Sequence, residues 1–219
     1  MKNKQKTAAA RLACAVLALV LMLPALASCS KPPELETVRD ELVGLIEGAF
    51  EINEIFFGEG LETVDSDIFE GPVSGYEYVV EDCKYLTTTS LKLAAEEIYT
   101  QDYLEGVYET AFEGYADGEV GIVAARFLDE EGYLIQEKDV ESQLNGVKKY
   151  DYSTMKIVKP STQDLLNVEI ECWLEGVKDA EKYEDLPGQL GQLMKGERVT
   201  VTLCFVLTAV GWRLDTPTY

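Results

Sequence analysis

The apolar pattern changes its period halfway along the chain, and that change constrains the fold more than any other feature. Leu35, Val38, Leu42, Leu45, Ile46, Ala49, Ile52, Ile55 and Phe56 recur three or four residues apart, the repeat of one helix face. From Ile122 to Asp215 apolar and polar residues alternate instead, in paired runs separated by turn residues, the repeat of half-buried strands. Helices first and an antiparallel meander last predict an α+β domain, with the N-terminal helices packed on one face of a curved antiparallel sheet.

Local signals place the elements. Thr37 or Pro32-Pro33 can open the first helix and Gly58 can end it, and its polar face carries Glu36, Asp40, Glu47, Glu51 and Glu54. Residues 58–75 hold four Gly and one Pro and read as a loop. Tyr76, Tyr78 and Val80 alternate as a short strand. Thr87 to Thr89 can cap a helix over 90–99, and Thr100 a second one whose stripe is Tyr103, Leu104, Val107, Tyr108, Ala111 and Phe112, stopped by Gly114. Three hairpins follow: 122–128 with 133–136 around Asp129-Glu130-Glu131-Gly132, 153–159 with 165–175, and 199–208 with 212–215. Residues 176–197 are acidic, then Gly-rich, and read as an excursion from the sheet.

The first 28 residues have another character. Lys2, Lys4, Lys6 and Arg11 precede an apolar run from Leu12 to Ala27, bent only by Pro24, and small residues lead to Cys29. These are the parts of a secretory signal, and the run is too short for a comfortable spanning helix. Leu26-Ala27-Ser28-Cys29 resembles the bacterial lipobox. That resemblance implies cleavage before Cys29 and diacylation of its thiol. Residues 1–28 are then a lipoprotein signal peptide, 29–34 a lipid anchor and stiff tether, and 35–219 one α+β domain. Two acyl chains anchor stably where one does not, so the mature chain is expected on the outer face of the plasma membrane. Cys14 is no rival, because Arg11 stands where the pattern needs an aliphatic residue. An ordinary signal peptide cut near Ala27 would leave Cys29 an incidental thiol.

Without residues 1–28, 191 residues carry 15 Lys and Arg against 40 Asp and Glu, a formal charge of −25. Such a surface repels nucleic acid and anionic headgroups and favours a basic protein partner. Residues 34–82 alone hold 15 acids and a single base, Arg39. The chain has no His, which removes Ser-His and Cys-His nucleophiles and imidazole zinc sites. Besides Cys29, the mature part has Cys83, Cys172 and Cys204, an odd number that argues against a disulfide framework. By strand parity Cys172 lies with the apolar side chains and Cys204 opposite them, so no bond between the two is expected.

Candidate sites are weak. Asp65-Ser66-Asp67 with Glu70-Gly71 hints at a calcium loop, but Phe69 stands at a ligand position and Gly71 comes one residue late. The carboxylate pairs Glu96-Glu97 and Glu169/Glu171 suit acid-base work only if they converge, and the second falls on the polar side of its strand. No catalytic residue, cofactor or metal is therefore expected. The acids of the 58–71 loop (Glu59, Glu62, Asp65, Asp67, Glu70) and of the 129–131 turn (Asp129, Glu130, Glu131) are the candidate contacts for a basic partner. Tyr76, Tyr78, Tyr99, Tyr103 and Tyr108 fall on predicted inner faces, and a pocket lined by them would suit a small ligand instead. Trp212 reads as a packing residue, while Trp173 has the parity of an outward one.

Two resemblances bear on this. The order of elements, ending in Gly211-Trp212-Arg213-Leu214-Asp215, resembles the cystatin-like and NTF2-like folds; the latter implies the ligand pocket. The runs Tyr85-Leu86-Thr87-Thr88-Thr89-Ser90-Leu91-Lys92, Ile98-Tyr99-Thr100-Gln101-Asp102-Tyr103 and Ala125-Arg126-Phe127 resemble the IseA-type DL-endopeptidase inhibitor family over residues 75–175. That resemblance implies a non-enzymatic protein that blocks cell-wall hydrolases of the NlpC/P60 class through acidic loops.

Overall fold

The computed structural model describes residues 31–64, 73, 75–118, 121–138, 142–144, 146–177, 180–183 and 185–218. The first helix, α1 (Leu35–Phe57), begins directly after the paired prolines, where the Thr37 hydroxyl donates to the Glu34 carbonyl at 2.7 Å. Its inward stripe of Leu42, Leu45, Ile46, Ala49, Ile52, Ile55 and Phe56 is buried, as the spacing predicts, and Gly58 ends it. Next come β1 (Tyr76–Tyr78), α2 (Thr88–Ile98) and α3 (Gln101–Tyr108). Thr87 caps α2 in a reciprocal box with Ser90, both bonds being 3.1 Å, and the Thr100 hydroxyl accepts from Tyr103 N–H to open α3. Rather than ending at once, α3 widens into a π turn, Glu109–Glu113. From that turn Phe112 joins a cluster with Phe56 and Phe127, with ring centroids 5.7–6.2 Å apart.

The expected strand over 122–128 is divided in two. β3 (Gly121–Val123) pairs with β2 (Tyr115–Asp117), and β4 (Phe127–Glu130) pairs with β5 (Tyr133–Glu137). The break falls where Arg126 turns inward and donates to the Gly58 carbonyl at 2.7 Å, which a side chain in a continuous edge ladder would not reach. The β4–β5 turn is a two-residue loop, Glu131 at φ 52° and Gly132 at φ 90°. Both positive values fit a type I′ turn, the form that matches strand twist.

The second half is a four-stranded antiparallel meander, β6 (Val147–Val158), β7 (Leu165–Glu175), β8 (Val199–Thr208) and β9 (Gly211–Leu214). β7 alternates without a fault: Leu166, Val168, Ile170, Cys172 and Leu174 are buried, and their neighbours are not. β6 begins six residues earlier than the sequence predicts, because a bulge between Asp151 and Lys156 resets its parity. The excursion between β7 and β8 holds a 3₁₀ turn, Ala180–Tyr183, and a short helix α4 (Gly188–Met194).

α1 packs across β6 and β9 and against α2, and one core cluster joins both helices to the two larger sheets. The described core side chains come from residues 42–214. The α+β class therefore holds, with the strands divided among separate sheets. β1 pairs with β5 in a small three-stranded sheet, order β1-β5-β4, not with the long meander. The closing motif anchors β9: Trp212 N–H donates to Glu41 Oε1 at 3.0 Å, Arg213 Nε to the Glu96 carbonyl at 2.8 Å, and Thr100 Oγ1 to the Asp215 carboxylate. Trp212 is buried, as expected. Cys83, Cys172 and Cys204 are free thiols; Cys172 is in the core and Cys204 points to the other face of the meander.

Candidate functional site

Of the candidate acids within the described residues, the small sheet and its flanking strand carry Glu62, Asp129, Glu130 and Glu131. The segment 62–64 runs antiparallel to the end of β1, with Val64 N–H to the Tyr78 carbonyl at 2.8 Å and Val80 N–H to the Glu62 carbonyl at 3.1 Å. Val79 N–H reaches the Leu134 carbonyl at 3.0 Å. The buried Gln136 ties this segment down from below, its Oε1 accepting from Leu61 N–H at 2.7 Å. Continuing the register of Tyr78 with Ile135 and Glu130 with Tyr133 puts Glu62, Val80, Tyr133 and Glu130 in one row across the sheet. With strands about 4.8 Å apart, the two acids at the ends of that row are about 14 Å from each other.

Between them stands an aromatic pair. Tyr78 and Tyr133 meet edge to face at 5.9 Å, and Tyr133 is 55% exposed. With Val64, Val79 and Glu81 they border a recess of about 330 Å³. Glu62, Glu81, Asp82 and Glu131 are exposed around it and Glu130 is half-buried, with no described base in an ion pair with any of these five. An exposed aromatic anchor ringed by carboxylates can bury apolar surface against a partner and steer a basic one.

The other candidate acids have different situations. Asp129 is engaged within the fold: its Oδ1 accepts from Thr88 N–H at 2.9 Å and its Oδ2 from Thr88 Oγ1 at 2.6 Å. It thus adds a second cap to the N-terminus of α2, where a negative charge is favoured. Glu59 is exposed just beyond α1, and its N–H donates to Glu54 Oε1 at 2.9 Å. Cys29, Asp65, Asp67 and Glu70 lie outside the described residues. So does the whole calcium-like loop, 65–71; among the described residues no group of three or more His, Cys, Asp or Glu is placed to hold a metal.

The carboxylate pair on β7 belongs to a ladder of ion pairs on the outer face of the meander. Glu169 pairs with Lys156 at 2.7 Å, Glu175 with Lys149 at 3.9 Å, and Arg198 bridges Asp151 at 3.3 Å and Glu171 at 3.5 Å. The hydrogen bonds from Ser153, with help from Arg198, hold the Asp151 carboxyl below its usual range. The Arg198 guanidinium also lies 4.3 Å over the Trp173 ring, so that outward Trp is covered by a cation. On α2, Glu96 is half-buried and Glu97 exposed.

The inner tyrosines do not open onto a common pocket. Tyr99 donates to Asn53 Oδ1 at 2.8 Å and lies 2.8 Å from Thr218 Oγ1, Asn53 Nδ2 donates to the same Oγ1 at 2.8 Å, and Tyr150 donates to the Thr218 carbonyl at 3.0 Å. Burial raises the Tyr150 phenol far above its ordinary range. Tyr76 donates to the Ala125 carbonyl and Tyr108 to the Lys92 carbonyl. Tyr99 and Tyr150 converge instead on Thr218 of the chain itself, fully buried between α1 and the meander.

Two features escaped sequence reasoning. One is this polar knot, whose members lie 46 to 165 residues apart. The other is a cavity beside it, floored by Lys148. No known protein-family model matches the chain, and no curated protein is similar to it.

Proposed function

We propose that this protein is a cell-envelope lipoprotein, held to the outer face of the plasma membrane through Cys29, that acts without catalysis by binding a basic protein. The observation that carries this reading is the Tyr78–Tyr133 pair at the end of the small sheet, flanked by Glu62, Glu81, Glu130 and Glu131. Tyr is a frequent hot-spot residue, and a mature chain of charge −25 draws a cationic surface toward it. The acidic character and the resemblance of residues 75–175 to IseA-type inhibitors make a cell-wall DL-endopeptidase of the NlpC/P60 class the partner to test.

The test mixes residues 31–219 with NlpC/P60 endopeptidases of the same cells and follows peptidoglycan cleavage at low and high salt. Inhibition that weakens with salt, and is lost in Tyr133→Ala, supports the reading, since exposed charges are screened beyond about 8 Å at physiological ionic strength. Unchanged cleavage with every such enzyme sinks the inhibitor reading. Anchoring is tested separately by metabolic labelling with a fatty-acid analogue: Cys29→Ser should abolish incorporation and release the protein from membranes.

A further inference from the structure

A cavity of about 350 Å³ lies between α1, the β6–β7 end of the meander and α4. Its walls are apolar side chains from four elements: Phe50 of α1, Val147 of β6, Leu174 of β7, and Leu190, Leu193 and Met194 of α4. Asn53 and Thr218 close it on the side of the polar knot. Among the described residues one cation borders this apolar space. Lys148 sits in the inward row of β6 with Tyr150, opposite Leu174, a position where the neighbouring strands carry core residues.

Lys148 differs from the bases that line the outer face of the meander. Lys149, Lys156 and Arg198, all on its outer face, each face a carboxylate within 4 Å. Lys148 has no such partner among the described residues. Glu54 also borders the cavity, but it is exposed, its Oε1 accepts from the Glu59 N–H, and it is not in ion-pair contact with Lys148. Burial lowers the pKa of the Lys148 ammonium, and the one group acting against that is the Cys172 thiol. An ammonium removed from water without a counter-charge is unfavourable, and a ligand that supplied one would relieve it.

We propose that this cavity binds an amphiphilic monoanion of the fatty carboxylate class. The carboxylate pairs with Lys148 and the alkyl chain lies against Phe50, Leu174 and the apolar side of α4. The volume is at the lower end of what small-molecule pockets have, which suits a chain of medium length. The apolar lining rejects a compact polar anion such as acetate, and the single cation disfavours an uncharged or cationic amphiphile of the same length.

The test titrates residues 31–219 with decanoate and with 1-decanol by calorimetry, using the wild type, Lys148→Met and Lys149→Met. The two variants remove the same charge from adjacent positions, one facing the cavity and one facing solvent and Glu175. Met keeps the length of the Lys stem and deletes a desolvated ammonium, so folding of the first variant is preserved; circular dichroism checks it. Decanoate should bind the wild type and Lys149→Met alike and Lys148→Met at least about tenfold more weakly, the size of one charge-assisted contact. Decanol should not distinguish the three proteins. The proposal is overturned if decanoate does not bind the wild type, if both variants or neither lose affinity, or if decanol follows the same pattern as decanoate.

Discussion

Thr218→Val removes one hydroxyl and keeps the shape of the side chain, so it isolates the polar knot at the end of the chain. Thr218 and Asn53 are 0% and 3% exposed, and Oγ1 accepts from Asn53 Nδ2 and lies within hydrogen-bond distance of Tyr99 OH. In the variant, Tyr99 OH can still donate to Asn53 Oδ1, whereas Asn53 Nδ2 is left without its acceptor. A buried donor stranded in this way costs about 1–3 kcal/mol, and the lost Tyr99 contact adds up to about 1 kcal/mol. The sum spans about 1–4 kcal/mol, and the expected loss is its middle, about 2–3 kcal/mol. For a domain of this size that lowers Tm by roughly 4–12 °C. Urea denaturation of residues 31–219 measures it, with the m-value checking that the change is in stability alone. The double variant Asn53→Leu/Thr218→Val removes donor and acceptor together, so it should lose at least about 1 kcal/mol less than the sum of the single changes. A loss below about 0.5 kcal/mol for Thr218→Val, or strict additivity in the double variant, would refute the view that the terminal residues are bound as part of the core.

Three further outcomes follow from particular contacts. Asp129→Ala should lower stability by about 1 kcal/mol, the usual value of an N-terminal cap, while Glu131→Gln leaves urea midpoints unchanged and slows association with a basic partner; equal effects on stability would contradict the capping role. In thiol labelling, Cys83 and Cys204 should react in the native state, and Cys172 only on global unfolding, because it is fully buried and burial raises its thiol pKa; rapid native labelling of Cys172 would argue for an open core. Finally, Lys148→Met should be more stable than the wild type at neutral pH. Because the folded-state pKa of Lys148 is lowered, the unfolded chain binds more protons and the penalty is complete below the folded value. The advantage should shrink as pH rises toward the ordinary lysine value, and an advantage independent of pH would mean that charge is not its cause.

What could be read in the sequence was what depends on neighbours along the chain. The α1 stripe, the Thr87 and Thr100 caps, the β4–β5 turn and the alternation of β7 each rest on residues within one or two turns or pairs, and each is found in place. The divided strand at 121–130 shows the limit. Ala124-Ala125-Arg126 does not interrupt the apolar pattern, yet the strand breaks there because Arg126 is needed 68 residues away at the end of α1. Asp129 is a similar case. In the sequence it is one of three turn acids; in the fold its carboxylate is spent on Thr88, and only Glu130 and Glu131 keep free carboxylates near Tyr133.

The same reasoning explains why Lys148 was invisible. Parity carried back along β6 from the buried Met155 would place Lys149 inward and Lys148 in solvent. The bulge between Asp151 and Lys156 reverses that assignment, and nothing local announces it, since the Thr154 hydroxyl that fills the irregularity accepts from Glu171 N–H on the adjacent strand. The consequence is chemical as well as geometric. On the outer face a lysine of this chain finds a carboxylate, as Lys149 and Lys156 do. The bulge carries the same residue type to the inner face, where the fold offers it apolar walls and a neutral thiol. Among the described carboxylates none is in ion-pair contact with Lys148, and the cavity beside it is where an anion from outside would find a cation.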